Sequence, residues 1–449
     1  MTTHAANHSK IFGCAIHGSI RVSAMALKII DTPEFQRLKS ISQLGLVPGV
    51  FPGRHSRFEH SLGVYHLTSR VLEKIKQMYP HRLYHIRELN PDFDIELTPK
   101  IIECIKIAGL CHDVGHGPYS HLFDHLMSEV APDNPNREHE ARSCLIMELL
   151  CRRELGSELD DKHIQFMKSI IAPSQTYHTG ALYQIVCNTL NDIDVDKFDY
   201  LQRDTNAIRF HIIPDFERLL SQFMIDINGN IAYPKHSVEH INHMFNTRYS
   251  MHRSVYNHKT VKILECMYMD LFREVDPVLK LSSSINDMTE FCKLTDTSIL
   301  DAICLMHNPP PFIKIALSPE DLKRIGRAHQ ILENIKYRKL YKHIVDLPDD
   351  ADHTKEQALK SRVAAIIEAN SDLSPDDFET VRVQYGRVGH GRPNPFKTIY
   401  FYDKFENNQT FTLFDTYKPA QCDVREHRVL LVCKRLEICP RISVAIKSI

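Results

Sequence analysis

The sequence predicts a mainly α protein with a smaller C-terminal α+β lobe, and three observations carry that expectation. Apolar residues recur at helical spacing through most of the first 345 positions. Gly, at 16 of 449 residues, is used at about half its ordinary frequency of ~7%. Segments rich in alternating, β-branched or aromatic residues are confined to the region after Asp352.

Taken in order, Val22 to Leu38 has helical periodicity, and Asp31-Thr32-Pro33 marks a helix start, because Pro suits a first turn. Arg54 to Val64 opens a helix with a His among charges, and residues 80–99 read as a surface loop. The apolar helix Ile101 to Leu110 runs into Cys111-His112-Asp113-Val114-Gly115-His116-Gly117-Pro118-Tyr119-Ser120-His121. Gly115, Gly117 and Pro118 are expected to end it, Gly by a left-handed exit and Pro because it cannot continue the helix. Ile263 to Leu271 predicts another helix, Asn308-Pro309-Pro310-Pro311 a surface loop, and Ser318-Pro319-Glu320-Asp321 a further capped start. Beyond the polar stretch 346–352, strands are expected over Thr380 to Tyr385, Lys397 to Tyr402, Thr410 to Phe414 and Arg428 to Val432. The chain thus divides into a helical core, 1–275, and a C-terminal helical and α+β lobe, 276–449, expected to serve regulation or assembly.

Composition narrows the function classes. Fifty-five Lys plus Arg against 56 Asp plus Glu leave a net charge of -1, which excludes a generally polybasic nucleic-acid binder and requires any anion site to be local. No run approaches the ~18 apolar residues of a membrane span, and Met1 to Lys10 holds neither a charged leader nor an apolar stretch, so a cytoplasmic or nuclear, non-secreted protein is expected. The 12 Cys are scattered; Cys104/Cys111 and Cys144/Cys151 are spaced as one helix face rather than a zinc clip, and read as reduced core residues. His is the outlier, with 27 residues against 23 Pro and 17 Tyr.

Chemistry concentrates in three stretches. His112 and Asp113 lie near a helix terminus beside a bend, where an imidazole and a carboxylate can converge on one cation; the alternative is a solvated helix end that they merely cap. His60 sits among charges. Residues 191–200 pack Asp192, Asp194, Asp196 and Asp199 with Lys197 and Tyr200, and the interleaved Ile193, Val195 and Phe198 turn part of that cluster inward, where a carboxylate needs a partner or a metal.

These stretches, together with Ile30-Asp31-Thr32-Pro33, Phe35-Gln36-Arg37-Leu38, Gln43-Leu44-Gly45, Val50-Phe51-Pro52-Gly53, Arg57 to Val64, Ala108 to Asp113, Ile193 to Tyr200, Thr247-Arg248 and His258-Lys259, resemble the HD-domain phosphohydrolases, specifically their SAM-and-HD-domain dNTP triphosphohydrolase branch. The resemblance runs from about Lys10 to at least Lys342, with a weaker echo to Lys434, and a sterile-alpha-motif region is not expected before it. It implies an HD-domain helical core and hydrolysis of dNTPs to deoxynucleoside and inorganic triphosphate. The rival readings are an HD enzyme acting on another nucleotide phosphoester, or a nucleotide sensor or nucleic-acid binder without catalysis.

Residue by residue, the resemblance implies that His60, His112, Asp113 and Asp196 hold one divalent transition metal, Fe, Mn or Zn, with Mg accompanying the triphosphate. His139 and His116 match catalytic histidines, and Asp204 is grouped with them. Arg57, His121, Lys197 and Arg248 match phosphate contacts; Gln43, Leu44, Tyr200, His252 and Tyr256 match the remaining substrate surroundings, where a packed aromatic beside the sugar would exclude a 2′-hydroxyl. Lys10, Ile11, Asp31, Gln36, Lys39 (in place of an Arg), Arg218, Lys259, Arg338, Lys342 and Lys434 match allosteric nucleotide sites, which implies GTP or dNTP activators and a homo-oligomer, dimer or tetramer. The sequence departs from that apparatus at Tyr233-Pro234-Lys235-His236, where Pro234 offers no phosphate-binding side chain, and at His240 in place of an Asn. Activation by different nucleotides and constitutive assembly are the alternatives.

Overall fold

Gly18, at φ +69, turns the hairpin Lys10–Cys14 and Gly18–Val22, which leads into the helix Ala24–Ile30. Ser23 caps that helix and Thr32 the next, each hydroxyl accepting from a backbone N–H three residues on, and Pro33 occupies the first turn of Pro33–Gln36. The periodicity from Val22 to Leu38 is therefore cut into two short helices and the 3₁₀ turn Arg37–Ser40, because the Thr32 cap and Pro33 break the ladder. The computed structural model describes residues 9–350, 352–386, 395–403, 409–412 and 426–447.

The body is built around the helix Arg57–Met78, which packs against Pro99–Cys111 and Val195–Ala207. Ser56 and Glu59 close its first turn as a reciprocal capping box. Pro99–Cys111 packs in turn on Asp161–Ile171, and His139–Leu155 lies against Ala24–Ile30. Lys259–Leu279, which contains position 275, packs on Pro319–Lys336. Fully buried Phe35, Tyr65, Phe123, Phe166, Phe245 and Phe272 fill the core between these helices. At about 1.5–3 kcal/mol for each large apolar side chain removed from water, the helices that carry the polar site are held on a rigid frame. Among the described residues no helix is long and apolar enough to cross a membrane, and Cys104, Cys111 and Cys151 are buried free thiols.

At the C-terminal end the strands Lys342–Asp349, Glu426–Cys433 and Phe378–Tyr385 form an antiparallel sheet with Glu426–Cys433 in the centre. The helices Thr354–Glu368 and Cys439–Lys447 help bury its own small core, which includes Leu359, Val429, Leu431 and Ile442. The segment around Tyr400–Tyr402 leaves that lobe. It pairs in parallel with Ile231–Pro234 of the body, and Phe396, Ile399 and Phe401 enter the principal core. Thr410–Phe411 extends the same small sheet; positions 413 and 414, expected as its continuation, lie outside the described residues, as do His4, His8 and Cys422.

Candidate functional site

The helix Pro99–Cys111 ends at His112, as its sequence predicts, but the glycines serve another purpose than a left-handed exit. Neither Gly115 nor Gly117 has positive φ; Tyr119 and Ser120, both at φ 59, carry that conformation instead. Gly115 is required by contact, since a Cβ there would lie 2.3 Å from both His139 O and Ser143 N, and one on Gly117 would meet the Phe123 ring at 2.4 Å. These close approaches seat the His112-Asp113 turn on the start of the His139–Leu155 helix. Two buried arginines lace the turn: Arg37 donates to Val114 O and His116 O, and Arg142 donates to Gly115 O.

Four candidate ligands converge there. His60 Nε2 lies 3.2 Å from His112 Nε2, 3.3 Å from Asp113 Oδ2 and 3.1 Å from Asp196 Oδ1, and His112 Nε2 is 3.4 Å from both carboxylates. The tautomers follow from the outer contacts. His60 Nδ1 sits 2.7 Å from Asp199 Oδ2 and His112 Nδ1 2.8 Å from Gly109 O, both acceptors, so each ring commits a proton to Nδ1. The two Nε2 atoms then join two carboxylates in one cluster of nitrogen and oxygen atoms, to which Arg57 donates at Asp113 Oδ2. Such a set fits a divalent cation of the kind that takes mixed nitrogen and oxygen donors. The electrostatics agree. Burial disfavours a charged His60, yet Asp113, Asp196 and Asp199 outweigh it and raise its pKa well above the ordinary value. Burial likewise opposes ionisation of Asp113 and Asp196, but Arg57 and His112 hold Asp113 well below the usual carboxylate range, and His112 and His60 hold Asp196 below it.

Asp199, a member of the acidic cluster with no expected role of its own, is fully buried beneath His60. Arg203 grips both its oxygens at 2.8 Å, and His17 Nε2 lies 2.6 Å from Oδ1. Burial is again outweighed, by Arg203, His17 and His60, so the carboxyl stays ionised.

A second donor group adjoins the first. His139 Nδ1 lies 2.7 Å from Asp124 Oδ2, and Asp124 is held on its other oxygen by Arg142. Burial disfavours the imidazolium, but Asp124 and Glu140 overcome it and raise the His139 pKa to about 9. His116 stacks on His139 with centroids 3.8 Å apart and Nε2 3.3 Å from Asp113 Oδ1. Burial, Arg57 and His139 push its pKa well below the ordinary value, so this ring is neutral beside a charged one. His121, at the exposed mouth, has its ring 5.3 Å from that of His139.

Both groups open into a cleft of about 480 Å³. Gln43, Leu44, Arg57, His112, Asp113, His116, His121, His139, Asp196, Lys197, Tyr200, Asp204, Arg248, His252 and Tyr256 all line it, and His60 lies behind His112 and Asp113. Arg57 donates to Asp113 Oδ2 and, through Nε, to Ser120 Oγ. Lys197 Nζ donates to Asp194 Oδ2 at 3.0 Å; burial opposes its charge, but Asp194 and Asp192 raise its pKa. Arg248 donates to Gly386 O and leaves a buried Nε without a partner among the described residues. His252 and Tyr256 sit in a π-helical turn that ends the helix Val238–Met251. Tyr256 donates to Asp204 Oδ2 at 2.7 Å, and His55, which stands in the Arg54 to Val64 stretch without an expected role, meets Asp204 Oδ1 at 2.7 Å.

The ten positions matched to allosteric sites lie outside this cleft. Lys10 and Ile11 are exposed on the first strand, and Asp31, Lys39, Arg218, Lys259, Arg338 and Lys342 are exposed elsewhere. Gln36 donates to Ile30 O, and Lys434 pairs with Asp270 and Glu379. Pro234 is buried at the end of the strand that pairs with Tyr400–Tyr402.

Residues 57–204 match the HD domain family. Over 414 residues the chain is 51% identical to an HD domain-containing protein, L394, of Acanthamoeba polyphaga mimivirus, covering 90% of this chain and 88% of that protein. It is 30% identical over 445 residues to the deoxynucleoside triphosphate triphosphohydrolase SAMHD1 homolog of Dictyostelium discoideum, covering 98% of this chain and 80% of that protein. The Homo sapiens deoxynucleoside triphosphate triphosphohydrolase SAMHD1 is 28% identical over 450 residues, or 90% of this chain and 67% of its own.

Proposed function

The chain belongs to the HD-domain dNTP triphosphohydrolases related to SAMHD1, and from that membership and the cleft chemistry we propose the following course of reaction. The protein hydrolyses a dNTP to deoxynucleoside and inorganic triphosphate. Water supplies the oxygen that bonds to the α-phosphorus, the bond from that phosphorus to the 5′ oxygen breaks, and the departing 5′ oxygen takes a proton. The observation that carries this reading is the convergence of His60, His112, Asp113 and Asp196 beside a histidine that is charged at neutral pH.

His60, His112, Asp113 and Asp196 would hold a divalent transition metal, Fe, Mn or Zn. What that site adds when occupied is Lewis-acid charge against the α-phosphate. His139, protonated below about pH 9, is the proton donor to the 5′ oxygen, and Asp124 fixes its Nδ1–H so that Nε2 serves the reaction. Neutral His116 borders the same space. Lys197, Arg248 and His121 take triphosphate oxygens, with Mg accompanying the substrate; the Nε of Arg248, without a partner among the described residues, is a ready donor. Arg57 links Asp113 to Ser120 and bridges ligand and loop. Tyr256, Asp204 and His55 form a fixed polar chain for the sugar, in which Tyr256 packs against the 2′ carbon and disfavours a hydroxyl there.

Nucleotide activation and assembly into a dimer or tetramer are part of the proposal, with Lys10, Lys39, Arg218, Lys259, Arg338 and Lys342 as exposed cations for activator phosphates. Incubation with each dNTP and Mg or Mn, with and without GTP, tests the reading. Deoxynucleoside and triphosphate are expected; monophosphate with pyrophosphate, orthophosphate, or no turnover in any combination sinks it. Sizing chromatography of the same samples reads assembly.

A further inference from the structure

We propose that Asp296 is a positioning residue for the substrate cleft: its one carboxylate clamps two cleft-lining loops, residues 42–47 and 119–122, in the register that receives substrate. The inference rests on the reading of the cleft as a dNTP site.

Asp296 is the first residue of the helix Asp296–His307 and lies far outside the matched region 57–204. It does not cap its own helix; the Thr295 hydroxyl accepts from Ser298 N for that purpose. Both carboxylate oxygens reach across the fold instead. Oδ1 accepts from Tyr119 N at 2.6 Å and Oδ2 from Ser42 N at 2.8 Å, while the Tyr119 hydroxyl donates back to Asp296 O at 2.9 Å. One side chain therefore terminates two backbone donors in two loops that are 77 positions apart in sequence (119 minus 42).

The loops need such a tie. Tyr119 and Ser120 are non-glycine residues both at φ 59, a conformation that persists only where surrounding contacts enforce it. Ser120 Oγ donates to Ser42 O at 2.6 Å, Arg57 Nε donates to Ser120 Oγ at 3.0 Å, and the Arg57 guanidinium also reaches Gln43 O at 3.4 Å. Gly45, at φ +53, lies so close that a Cβ would be 3.0 Å from Tyr119 O. The loops thus touch one another, and each delivers cleft residues: Gln43 and Leu44 from one, His121 from the other. Burial raises the Asp296 carboxyl to about 6, against the Tyr119 and Ser42 N–H groups and Arg37, so it is charged at neutral pH and its hydrogen bonds are of the strong, charge-assisted kind.

Asp296→Asn tests this with little change of shape, because the amide nitrogen cannot accept. Amide hydrogen exchange over 42–47 and 117–122 is read without nucleotide, alongside Kd for a non-hydrolysable dNTP analogue, KM, kcat and bound metal. The expected result is faster exchange in both loops and Kd and KM raised about tenfold, the loss of one charge-assisted bond, with kcat within about threefold and bound metal retained. Unchanged exchange, faster exchange with unchanged Kd, or joint loss of kcat and metal overturns the clamp. Absence of dNTP turnover in the unsubstituted protein fails the functional reading instead, and the exchange and Kd measurements still decide the clamp.

Discussion

His116 and His139 stack at 3.8 Å with their planes 17° apart, yet their protonation is opposite: His139 is held up to about pKa 9 and His116 is pressed well below the ordinary value. Asp124 supports the charge on one ring, and that charge, with Arg57 and burial, excludes a second proton from the other.

The first expectation is a pH profile. A donor with a raised pKa is fully protonated at neutrality and is lost as pH rises through about 9, so kcat falls on the alkaline side there. Asp124→Asn removes the main support for the imidazolium and moves the falling limb toward neutral pH. His139→Asn lowers kcat by roughly 10²–10⁴-fold and abolishes the limb. A limb that stays in place in Asp124→Asn contradicts the assignment.

Metal content provides the second. Asp113→Ala and Asp196→Ala each remove an acceptor from the His60 group, and both should lose bound metal, measured by elemental analysis after dialysis, together with activity. Either variant retaining full metal and turnover shows that the ligand set is wrong.

Asp199→Asn probes the layer beneath. The amide can present its NH2 to His60 Nδ1 and free the opposite tautomer, and it breaks the two-pronged Arg203 contact. Metal affinity should drop by about 10–100-fold, the usual cost of losing such an outer partner, whereas the fold, followed by circular dichroism, remains.

Gly63→Ala should give a related result by a steric route. A Cβ at Gly63 would lie 1.8 Å from Asp199 Oδ1 and 2.6 Å from an Arg203 nitrogen. Overpacking of this kind costs about 1–3 kcal/mol, read as a lowered Tm, and weakened metal binding should accompany it. A variant with wild-type Tm and metal affinity would show that the helix shifts freely.

Much of the candidate site is legible because its residues stand in recognisable strings: His112-Asp113 before a Gly-rich turn, His60 in a helix start, Asp196 in an acidic cluster with apolar spacing. Partners were less visible. Asp124 meets His139 15 positions on, and His17 meets Asp199 across 182 positions, distances over which periodicity says nothing. Asp199 did leave a trace, since it stands three residues after Asp196 on one helix and therefore near the same face. The glycines show the limit from another side. Their presence in the His112–Ser120 stretch was plain, but whether they supply a left-handed turn or a close contact depends on what packs against them, and Tyr119 and Ser120 proved to hold the unusual backbone. The C-terminal strands were likewise visible, while the departure of Tyr400–Tyr402 to pair with Ile231–Pro234 is a long-range choice made by where Phe396 and Phe401 find apolar partners.

That last pairing has a bearing on biosynthesis. A chain emerging from the ribosome releases the segments of His60, His112 and Asp196 first, but Ile231–Pro234 gains its parallel neighbour, and Arg248 its contact at Gly386, only once residues 386–402 have been made. The catalytic body therefore closes late, and a nascent chain stalled near position 340 would expose the apolar bed of Phe396 and Phe401 to chaperones rather than fold into a smaller enzyme.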